Sequence, residues 1–466
     1  MNGPDPKNRM NDLTSRQWLQ FQKSWFILEK NPLAEFVAFF TKARYQDGHP
    51  GKIAFYPPQL LNNFVAENRD PREFFSVDDH PISDKVDYVY LDFQNLETGE
   101  QLQSAKPKIE AINHWIQDHL VDRGYITIAV KNFHSANGSQ LIAWEIAKWF
   151  SQYFLQKDEK IGCRVNSDDS QEEKQFGWAP RNSVTYFLHF RKENKPDRKL
   201  TFELPVPDGN ESSEAELKSN NFPDAWYVHR PPRREKGVLL HPAKFPEDLI
   251  ERYIKNFTQP GDWVLDPMAG TGSALIAAKS CERKACGIEL NPEFVNIANT
   301  RFEKPAEVRL IQGDAAKHQS YKDIPAMDYC ITSPPYWDML RMRGAETQKK
   351  RKDAGLQRWY SENPHDAGNI ADYQTFVDLL KDVYRLVAQK LKPDSYMTVI
   401  VKNVKKQGVI YPLAWDIVAA LKDDYIYCGE QFWCQDDQRL APFGYRYAWV
   451  SNTFHHYCLT FRRKNK

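Results

Sequence analysis

Residues 263–273 decide the fold of this 466-residue chain, and they read Trp263-Val-Leu-Asp-Pro-Met-Ala-Gly-Thr-Gly-Ser273. An apolar run is followed by a turn with two glycines and by a small-residue segment that continues through Ala278. This order predicts a strand, a tight turn and a helix. Glycines let the backbone approach a ligand closely, and a helix N-terminus offers N–H groups that the helix leaves without internal partners. The segment is therefore expected to begin a parallel α/β sheet with a ligand at its edge.

Acidic residues close the next two predicted strands. Strand Lys284–Glu289 ends at Glu289, and strand Val308–Gln312 is followed by Gly313 and Asp314. Glu289 is placed to accept hydrogen bonds from both hydroxyls of a ribose, and Asp314 to meet an adenine amine. The turn lacks the third glycine of dinucleotide sites, which favours a nucleoside cofactor without a pyrophosphate. Two glycines alone are often a simple tight turn, but three aligned strand ends predict a Rossmann-like nucleoside site.

A second motif, Thr332-Ser-Pro-Pro-Tyr-Trp337, follows the apolar run 327–331, which reads as a short buried strand. Its two prolines fix φ and remove two backbone donors, and Pro335 biases Pro334 toward an extended conformation. The turn presents a hydroxyl, carbonyls and a flat ring, a set that suits gripping a planar amine and stacking on its ring. A simple strand-ending turn is the alternative interpretation of the motif alone.

The chain repeats itself at a constant offset, by which Cys434 matches Cys163. The same offset pairs Lys131 with Lys402, Asn132 with Asn403, Trp144 with Trp415, Tyr186 with Tyr457, Phe190 with Phe461 and Arg191 with Arg462. A single gap-free offset predicts two related α/β halves. The first half carries Leu91-Asp92-Phe93 where the second carries the Ser-Pro-Pro-Tyr turn, so we expect the first half to be catalytically degenerate.

Length and composition describe a multidomain globular protein. At 466 residues two or three domains are expected, and the 41% hydrophobic content allows packed interiors. The net charge of +1 argues against a nonspecific polyanion binder but leaves local basic patches open. No apolar run is long enough for a membrane span, and the N-terminus lacks a signal-peptide core. The seven cysteines show no Cys-x-x-Cys spacing, so we expect reduced thiols, no metal and a cytoplasmic location.

Composition shifts predict four segments. Residues 1–50 are expected to form an N-terminal helical segment and residues 51–200 the degenerate half. Residues 201–235 form a linker, and residues 236–466 form the catalytic domain. A helix is predicted from 373 to 391, ended by Lys392-Pro393-Asp394.

The motifs resemble those of the amino-methyltransferases that use S-adenosylmethionine to methylate exocyclic amines in DNA. Asp266-Pro-Met-Ala-Gly-Thr-Gly is similar to their cofactor motif, and Thr332-Ser-Pro-Pro-Tyr-Trp to their catalytic motif. Ser before Pro-Pro-Tyr is typical of the cytosine-N4 branch, whereas Asp or Asn is typical of adenine-N6 enzymes. Asp224-Ala-Trp226 and His241-Pro-Ala-Lys-Phe-Pro246 resemble the segment before the cofactor loop in the permuted group. In that group the catalytic motif comes first, whereas here the intact turn follows the cofactor loop.

The resemblance implies a Rossmann-like methyltransferase domain preceded by the related degenerate half. It implies methyl transfer from S-adenosylmethionine to the N4 amine of a cytosine flipped out of double-stranded DNA. The expected catalytic residues are Ser333, Pro334, Pro335 and Tyr336. The expected cofactor-binding residues are Lys244, Phe245, Asp266, Met268, Gly270, Gly272, Ser273, Glu289 and Asp314.

Three alternatives stay open: an adenine-N6 DNA methyltransferase, an RNA or protein amine methyltransferase, and an inactive nucleic-acid-binding scaffold. A cognate restriction endonuclease is a further partner that the resemblance suggests, and no membrane partner is expected. A basic stretch with aromatics at 341–360 can contact phosphates or form a solvated loop. Trp337 is expected either to line the pocket or to pack in the core.

Overall fold

A computed structural model describes residues 10–67, 70–78, 85–135, 138–165, 182–193, 200–205, 225–230, 246–302, 307–337, 366–436 and 451–465. None of the helices in these ranges combines the length and the apolar character that a bilayer crossing requires. The described chain forms two large sheets, one from each half of the sequence.

The first half contributes five helices and nine strands to the described structure. The helices are α1 (Ser15–Gln20), α2 (Leu33–Phe40), α3 (Pro58–Glu67), α4 (Gly99–His119) and α5 (Ile142–Phe150). The strands are β1 (Trp25–Ile27), β2 (Lys52–Tyr56), β3 (Glu73–Ser76), β4 (Val86–Asp92), β5 (Leu120–Val130), β6 (Phe133–Ser135), β7 (Gly138–Gln140), β8 (Leu155–Val165) and β9 (Asn182–Arg191). Strands β6 and β7 pair only with each other, as a small hairpin beside the main sheet.

The second half contributes five further helices and ten strands to the same description. The helices are α6 (Glu247–Phe257), α7 (Ser273–Ser280), α8 (Pro292–Thr300), α9 (Tyr373–Lys390) and α10 (Leu413–Ala420). The strands are β10 (Trp226–Val228), β11 (Trp263–Asp266), β12 (Lys284–Glu289), β13 (Val308–Gln312), β14 (Met327–Thr332), β15 (Leu391–Val401), β16 (Val404–Lys406), β17 (Val409–Tyr411), β18 (Tyr425–Cys434) and β19 (His455–Arg463). Strands β16 and β17 form the second small hairpin.

The two sheets share one topology. The first runs β1-β8-β9-β5-β4-β2-β3, and the second runs β10-β18-β19-β15-β14-β11-β12-β13. In each sheet one strand, β9 or β19, is antiparallel to both neighbours, and the remaining pairs are parallel. Strand β13 has no counterpart among the described residues of the first half. The strand order therefore repeats as the constant sequence offset predicted, and the mixed α/β class is confirmed.

Local signals explain where the elements begin and end. The side chain of Asp372 accepts a hydrogen bond from the Thr375 N–H at 2.8 Å and starts α9. One apolar stripe of α9 is buried; it comprises Phe376, Val377, Leu380, Val383, Tyr384 and Val387. The helix ends at Lys390, and β15 begins at the next residue. The predicted end of this helix is therefore confirmed to within one residue, and Pro393 is the third residue of β15.

The predicted N-terminal helical segment and the predicted linker each contain a short strand, and each strand lies at the edge of a sheet. Strand β1 lies within 1–50 and pairs in parallel with β8, while β10 lies within 201–235 and pairs in parallel with β18. The two edge tryptophans make equivalent contacts across the molecule. The Trp25 indole donates to the Gln435 carbonyl at 2.8 Å, and the Trp226 indole donates to the Arg164 carbonyl at 3.1 Å. Each half thus uses its edge tryptophan to hold the other half.

Two buried carboxylates form the centre of the contact between the halves. Glu159 accepts hydrogen bonds from Asn403 and from Tyr457, each at 2.8 Å. Its counterpart Glu430 accepts from Asn132 at 3.1 Å and from Tyr186 at 2.7 Å. Each contact made by Glu159 is thus repeated by Glu430 with the roles of the two halves exchanged, as in an isologous dimer interface.

Aromatic and thiol pairs continue this pseudo-two-fold arrangement. Trp144 stacks on its counterpart Trp415 with ring centroids 5.5 Å apart, and the sulfur of Cys163 lies 3.9 Å from that of Cys434. The contact also buries the charged stretch of β8, where Lys157, Asp158, Glu159 and Lys160 are all below a tenth exposed. Asp158 and Glu159 are therefore interior because the second half supplies their partners, whereas Lys160 donates to carbonyls of its own half.

We predict that Glu430 stabilises the protein in a pH-dependent way. Burial alone would raise the pKa of Glu430, but the charge and hydrogen bond of His134 and the hydroxyls of Tyr427 and Tyr186 lower the pKa to about 2. A carboxylate with a lowered pKa contributes stability above its unfolded value near 4.5, and this contribution of roughly 3 kcal/mol fades as the pH falls toward 2. Urea unfolding of wild type and Glu430→Gln should differ more at pH 5 to 6 than at pH 3, and the two proteins should converge in acid.

The control for this measurement is Glu251→Gln, which removes an exposed ion pair with Lys255 on α6. Exposed helix pairs contribute well under about 1 kcal/mol, so this variant should unfold like the wild type. An equal effect of both substitutions, or a Glu430→Gln difference that persists unchanged at pH 3, would contradict the assignment.

Candidate active site

Asp266 joins the cofactor loop to the catalytic strand. It is the last residue of β11, and its Oδ1 accepts hydrogen bonds from the Met268 N–H at 3.0 Å and from the Thr332 hydroxyl at 2.7 Å. Thr332 is the last residue of β14, directly before the Ser-Pro-Pro-Tyr turn. Burial raises the pKa of Asp266 to about 6, although these two hydrogen bonds act to lower the pKa. One carboxylate thus fixes the position of both motifs.

Glu289 holds the glycine turn against the end of β12. Its two oxygens accept the Gly270 N–H and the Asn291 N–H, each at 2.7 Å. Burial raises the pKa of Glu289 to about 7 despite these bonds, and the carboxylates of Asp366 and Asp266 act in the same direction. Each carboxylate oxygen has a second lone pair, so Glu289 retains acceptor capacity toward a ligand.

A cavity lies where β11, β12, β13 and β14 end. Of the predicted cofactor-binding residues, Asp266, Met268, Gly270, Ser273, Glu289 and Asp314 line it. Of the predicted catalytic residues, Ser333 and Pro335 line the same cavity. Apolar walls come from Ile288, Phe294, Ala315, Leu379 and Val383. The structure therefore brings the cofactor loop and the catalytic turn to one space.

Gly272 shapes the glycine turn but is not part of the cavity wall. It does not line the cavity; its φ of +82° is in the left-handed region, and a Cβ there would approach Phe302 to 3.0 Å and Ala298 to 3.2 Å. Gly270 also has a positive φ, of +52°. These two left-handed positions, on either side of Thr271, explain why glycines occur in this turn, independently of any ligand.

The rest of the catalytic turn faces aromatic neighbours. Pro334 and Tyr336 do not line the cavity. The Tyr336 ring lies 6.2 Å from that of His456, which in turn stacks on Trp433 at 4.1 Å. Burial, with the nearby charge of Lys402, lowers the pKa of His456 well below its usual value, so the imidazole is neutral. A wall of flat rings thus stands beside Tyr336.

Trp337 packs in the core. It is 3% exposed, does not line the cavity, and its ring lies 4.7 Å from that of Tyr411 and 5.1 Å from that of Tyr373. Of the two expectations for this residue, the core role is the one observed.

Several predicted residues fall outside the described part of the chain. Lys244 and Phe245 do, as do the segments 231–245 and 338–365, which include the basic stretch. Their assignment stays a prediction.

Within the described ranges, no group of three or more His, Cys, Asp or Glu side chains has the placement of a metal site.

Two site residues were not identified from the sequence. Thr332 belongs to the catalytic motif, and its bond to Asp266 was not predicted, although its position directly after the apolar run 327–331 indicated the sheet edge. Asp366 lines the cavity and caps a short 3₁₀ turn by accepting the Gly368 N–H at 2.9 Å. It follows a long polar stretch without periodicity, so the sequence carried no signal for it.

The first half lacks this chemistry at the equivalent positions. By strand register Phe55 takes the place of Asp266, and Asp92 the place of Ser333. Phe55 is fully buried, and the Tyr56 and Phe93 rings lie 5.6 Å apart at the same sheet edge. An aromatic side chain thus replaces the carboxylate of Asp266, and a carboxylate replaces the hydroxyl of Ser333.

Comparison with known proteins supports the motif assignment. A sequence family described as DNA methylase matches residues 94–300, a range that includes the cofactor loop and ends before the catalytic turn. Among curated relatives, the Type II methyltransferase M2.DpnII of Streptococcus pneumoniae is 25% identical over 221 residues, which cover 45% of this chain and 76% of the relative. M2.LlaDCHI of Lactococcus lactis subsp. cremoris is 32% identical over 136 residues, 28% of this chain and 48% of the relative.

A third relative, M.BglII of Bacillus subtilis, is 28% identical over 125 residues, 26% of this chain and 32% of the relative. The chain thus spans about half or less of two of these three relatives. Among solved structures, TrmN from Thermus thermophilus aligns with 82% of this chain and 72% of its own at 11% identity and a TM-score of 0.32. The motif set, the family match over residues 94–300 and the relatives in sequence show that this chain is similar to S-adenosylmethionine-dependent DNA amino-methyltransferases.

Proposed function

We propose that this protein transfers a methyl group from S-adenosylmethionine to the exocyclic N4 amine of cytosine at specific sites in DNA. The observation that carries the proposal is that Ser333 and Glu289 line one cavity, with Asp266 bonded to both motifs. A donor held by the glycine loop and an amine held by the turn then share one space. Alignment of the two reacting groups can supply roughly 7–11 kcal/mol of the barrier.

The cavity suits a cationic nucleoside. Four carboxylates line it, from Asp266, Glu289, Asp314 and Asp366. This set repels phosphate but accepts hydrogen bonds from ribose hydroxyls and from an adenine amine, and it favours a sulfonium charge. The apolar wall formed by Ile288 and Phe294 suits the adenine ring. When bound, S-adenosylmethionine supplies an electrophilic methyl group, so no covalent enzyme intermediate is needed.

The Ser-Pro-Pro-Tyr turn prepares the amine. The lone pair of an exocyclic amine is delocalised into the ring, which makes the nitrogen a poor nucleophile. Hydrogen bonds from the amine to the Ser333 hydroxyl and the Pro334 carbonyl favour tetrahedral geometry and localise the lone pair on nitrogen. Tyr336 stacks on the face of the base, as aromatic residues do with unpaired bases. The target base is flipped out of the duplex to reach this turn.

Ser333 supports the choice of cytosine, because Ser before Pro-Pro-Tyr is typical of the N4 branch. Adenine-N6 methylation is the alternative product. The basic segment 341–360 follows the turn and is proposed to contact DNA phosphates. The three curated relatives are Type II methyltransferases, which suggests a restriction endonuclease as a functional partner.

The product identifies the reaction. DNA from cells that express the protein is digested to nucleosides, and the modified nucleoside is identified by its mass and retention time. N4-methylcytosine supports the proposal, and N6-methyladenine selects the alternative. Neither product, together with methylation of RNA or protein by the purified chain, would overturn the assignment to DNA.

We predict that Ser333→Ala and Tyr336→Ala each reduce methyl transfer by about a hundredfold or more, because each removes a group that orients the amine. Cofactor affinity should stay within about twofold, since neither side chain belongs to the loop that holds the cofactor. Incorporation of labelled methyl groups into DNA measures the first quantity, and calorimetric titration with S-adenosylmethionine the second. Ser280→Ala, an exposed hydroxyl at the end of α7, is the control. Turnover at the wild-type rate in both variants would refute the role of the turn.

We predict that cofactor affinity depends on the ionisation of Glu289. The protein without cofactor holds the pKa of Glu289 at about 7, and ribose hydroxyls bind the ionised form better. Affinity should therefore fall as the pH drops through 7, by up to about tenfold per pH unit. Glu289→Gln should weaken binding at pH 8 and flatten this dependence.

The matched control is Glu293→Gln, an exposed carboxylate on α8, which should preserve both the affinity and its pH dependence. Titrations with S-adenosylmethionine at pH 6, 7 and 8 check all three proteins. A Glu289→Gln variant that keeps the wild-type slope would assign the titration to another group.

A further inference from the structure

The two hairpins are exchanged between the halves. The β16–β17 hairpin of the second half contacts β8 of the first, and the β6–β7 hairpin of the first half contacts β18 of the second. We propose that the first half positions the catalytic turn through the β16–β17 hairpin, with Asp158 as the positioning residue. This inference rests on the proposed methyl transfer and assigns the first half a role in it.

Side chains of the β16–β17 hairpin contact Trp337, the residue that follows Tyr336. The Lys406 ammonium lies 4.1 Å from the centroid of the Trp337 ring, and the Tyr411 ring packs on Trp337 at 4.7 Å. Trp337 has a φ of +49°, which is unfavourable for a bulky side chain. Such a conformation persists only where the surrounding packing enforces it. The exit of the turn is therefore held by side chains of β16 and β17.

The first half holds the hairpin through a buried ion pair. Lys405, at the centre of β16, donates from its ammonium to Asp158, which is fully buried in β8. Asp158 also accepts the backbone N–H of Ser451, and the Lys405 ammonium donates to the Ser451 carbonyl at 3.0 Å and hydroxyl at 3.1 Å.

Other charges face this pair. Burial alone would raise the pKa of Asp158, but Lys405 and Lys160 outweigh it and lower the pKa, so the carboxylate is ionised. His189 also faces Asp158, and burial lowers its pKa to about 3, which leaves the imidazole neutral. Lys160 donates to the Phe21 and Lys23 carbonyls of its own half. The ionised carboxylate therefore links β8 to the hairpin.

This ion pair is present only on the catalytic side. At the equivalent positions of the other half, His134 replaces Lys405 and Gly429 replaces Asp158. A Cβ at Gly429 would lie 3.1 Å from the His134 ring, so His134 lies beside Gly429 as Lys405 lies beside Asp158, but Gly429 offers no carboxylate. His134 instead approaches Glu430 at 3.3 Å. The two hairpins thus share their packing but differ in the contact that Asp158 provides.

The test is Asp158→Asn in the full-length chain. We expect unchanged stoichiometry and affinity for S-adenosylmethionine, and at least a tenfold lower rate of methyl transfer per cofactor-binding site at saturating DNA. Backbone amide hydrogen exchange at Tyr336 and Trp337 should accelerate at least tenfold. A residue that only stabilises the fold would lower the melting temperature and leave the rate per binding site unchanged.

The pseudo-symmetric control is His134→Gln, which perturbs the other hairpin and should keep the wild-type rate and exchange. Lys405→Arg preserves the positive charge and should retain most of the activity. If Asp158→Asn does not fold, Tyr411→Ala weakens the same path at its other end and should lower the rate and speed exchange at Trp337. Wild-type rate and exchange in the folded variants, or equal losses in His134→Gln, would overturn the positioning role. A wild-type protein that methylates no DNA would refute the proposed function instead, whereas the exchange measurement would still report on the turn.

Discussion

The hydrogen bond between Thr332 and Asp266 is the interaction on which the site depends. It joins the ends of two neighbouring parallel strands, β11 and β14, at the edge where the glycine turn and the Ser-Pro-Pro-Tyr turn begin. The same carboxylate oxygen holds the backbone of the glycine turn through Met268. Because both motifs leave the sheet at this point, a displacement of either one moves the other. The relative position of donor and acceptor is thus set by the sheet rather than by the loops.

The second constraint is the near symmetry of the chain. Both sheets follow one strand order, and the buried carboxylates Glu159 and Glu430 receive equivalent hydrogen bonds across the pseudo-two-fold axis. The departures from symmetry coincide with function. Phe55 and Asp92 stand where the second half has Asp266 and Ser333, and β13, which Asp314 follows, belongs to the second half of the described structure. One half thus carries the cofactor and catalytic motifs, and the other half provides supporting contacts.

The sequence was sufficient where local signals and function coincide. Strands β12 and β13 and helix α9 lie where apolar runs and the apolar periodicity of residues 373–391 predicted them, and the constant offset predicted the repeated topology. The sequence was insufficient where a side chain is bound by residues that lie far away along the chain. Lys157 to Lys160 resemble a solvated charge run, yet all four are buried. Asn403, Lys405 and Tyr457 of the second half are the partners of Asp158 and Glu159. The three-residue strands β1 and β10 are too short for any periodicity to reveal.

The mutual burial of Glu159 and Glu430 limits how far the protein can be reduced in size. A fragment containing only residues 236–466 would carry the complete set of motifs, but it would leave Glu430 and Asn403 facing water without the side chains that neutralise or accept from them. The large apolar surface around Trp415 would also become solvent-accessible, which promotes aggregation. The first half is therefore part of the folding unit, and we expect the smallest fragment that folds autonomously to contain both halves.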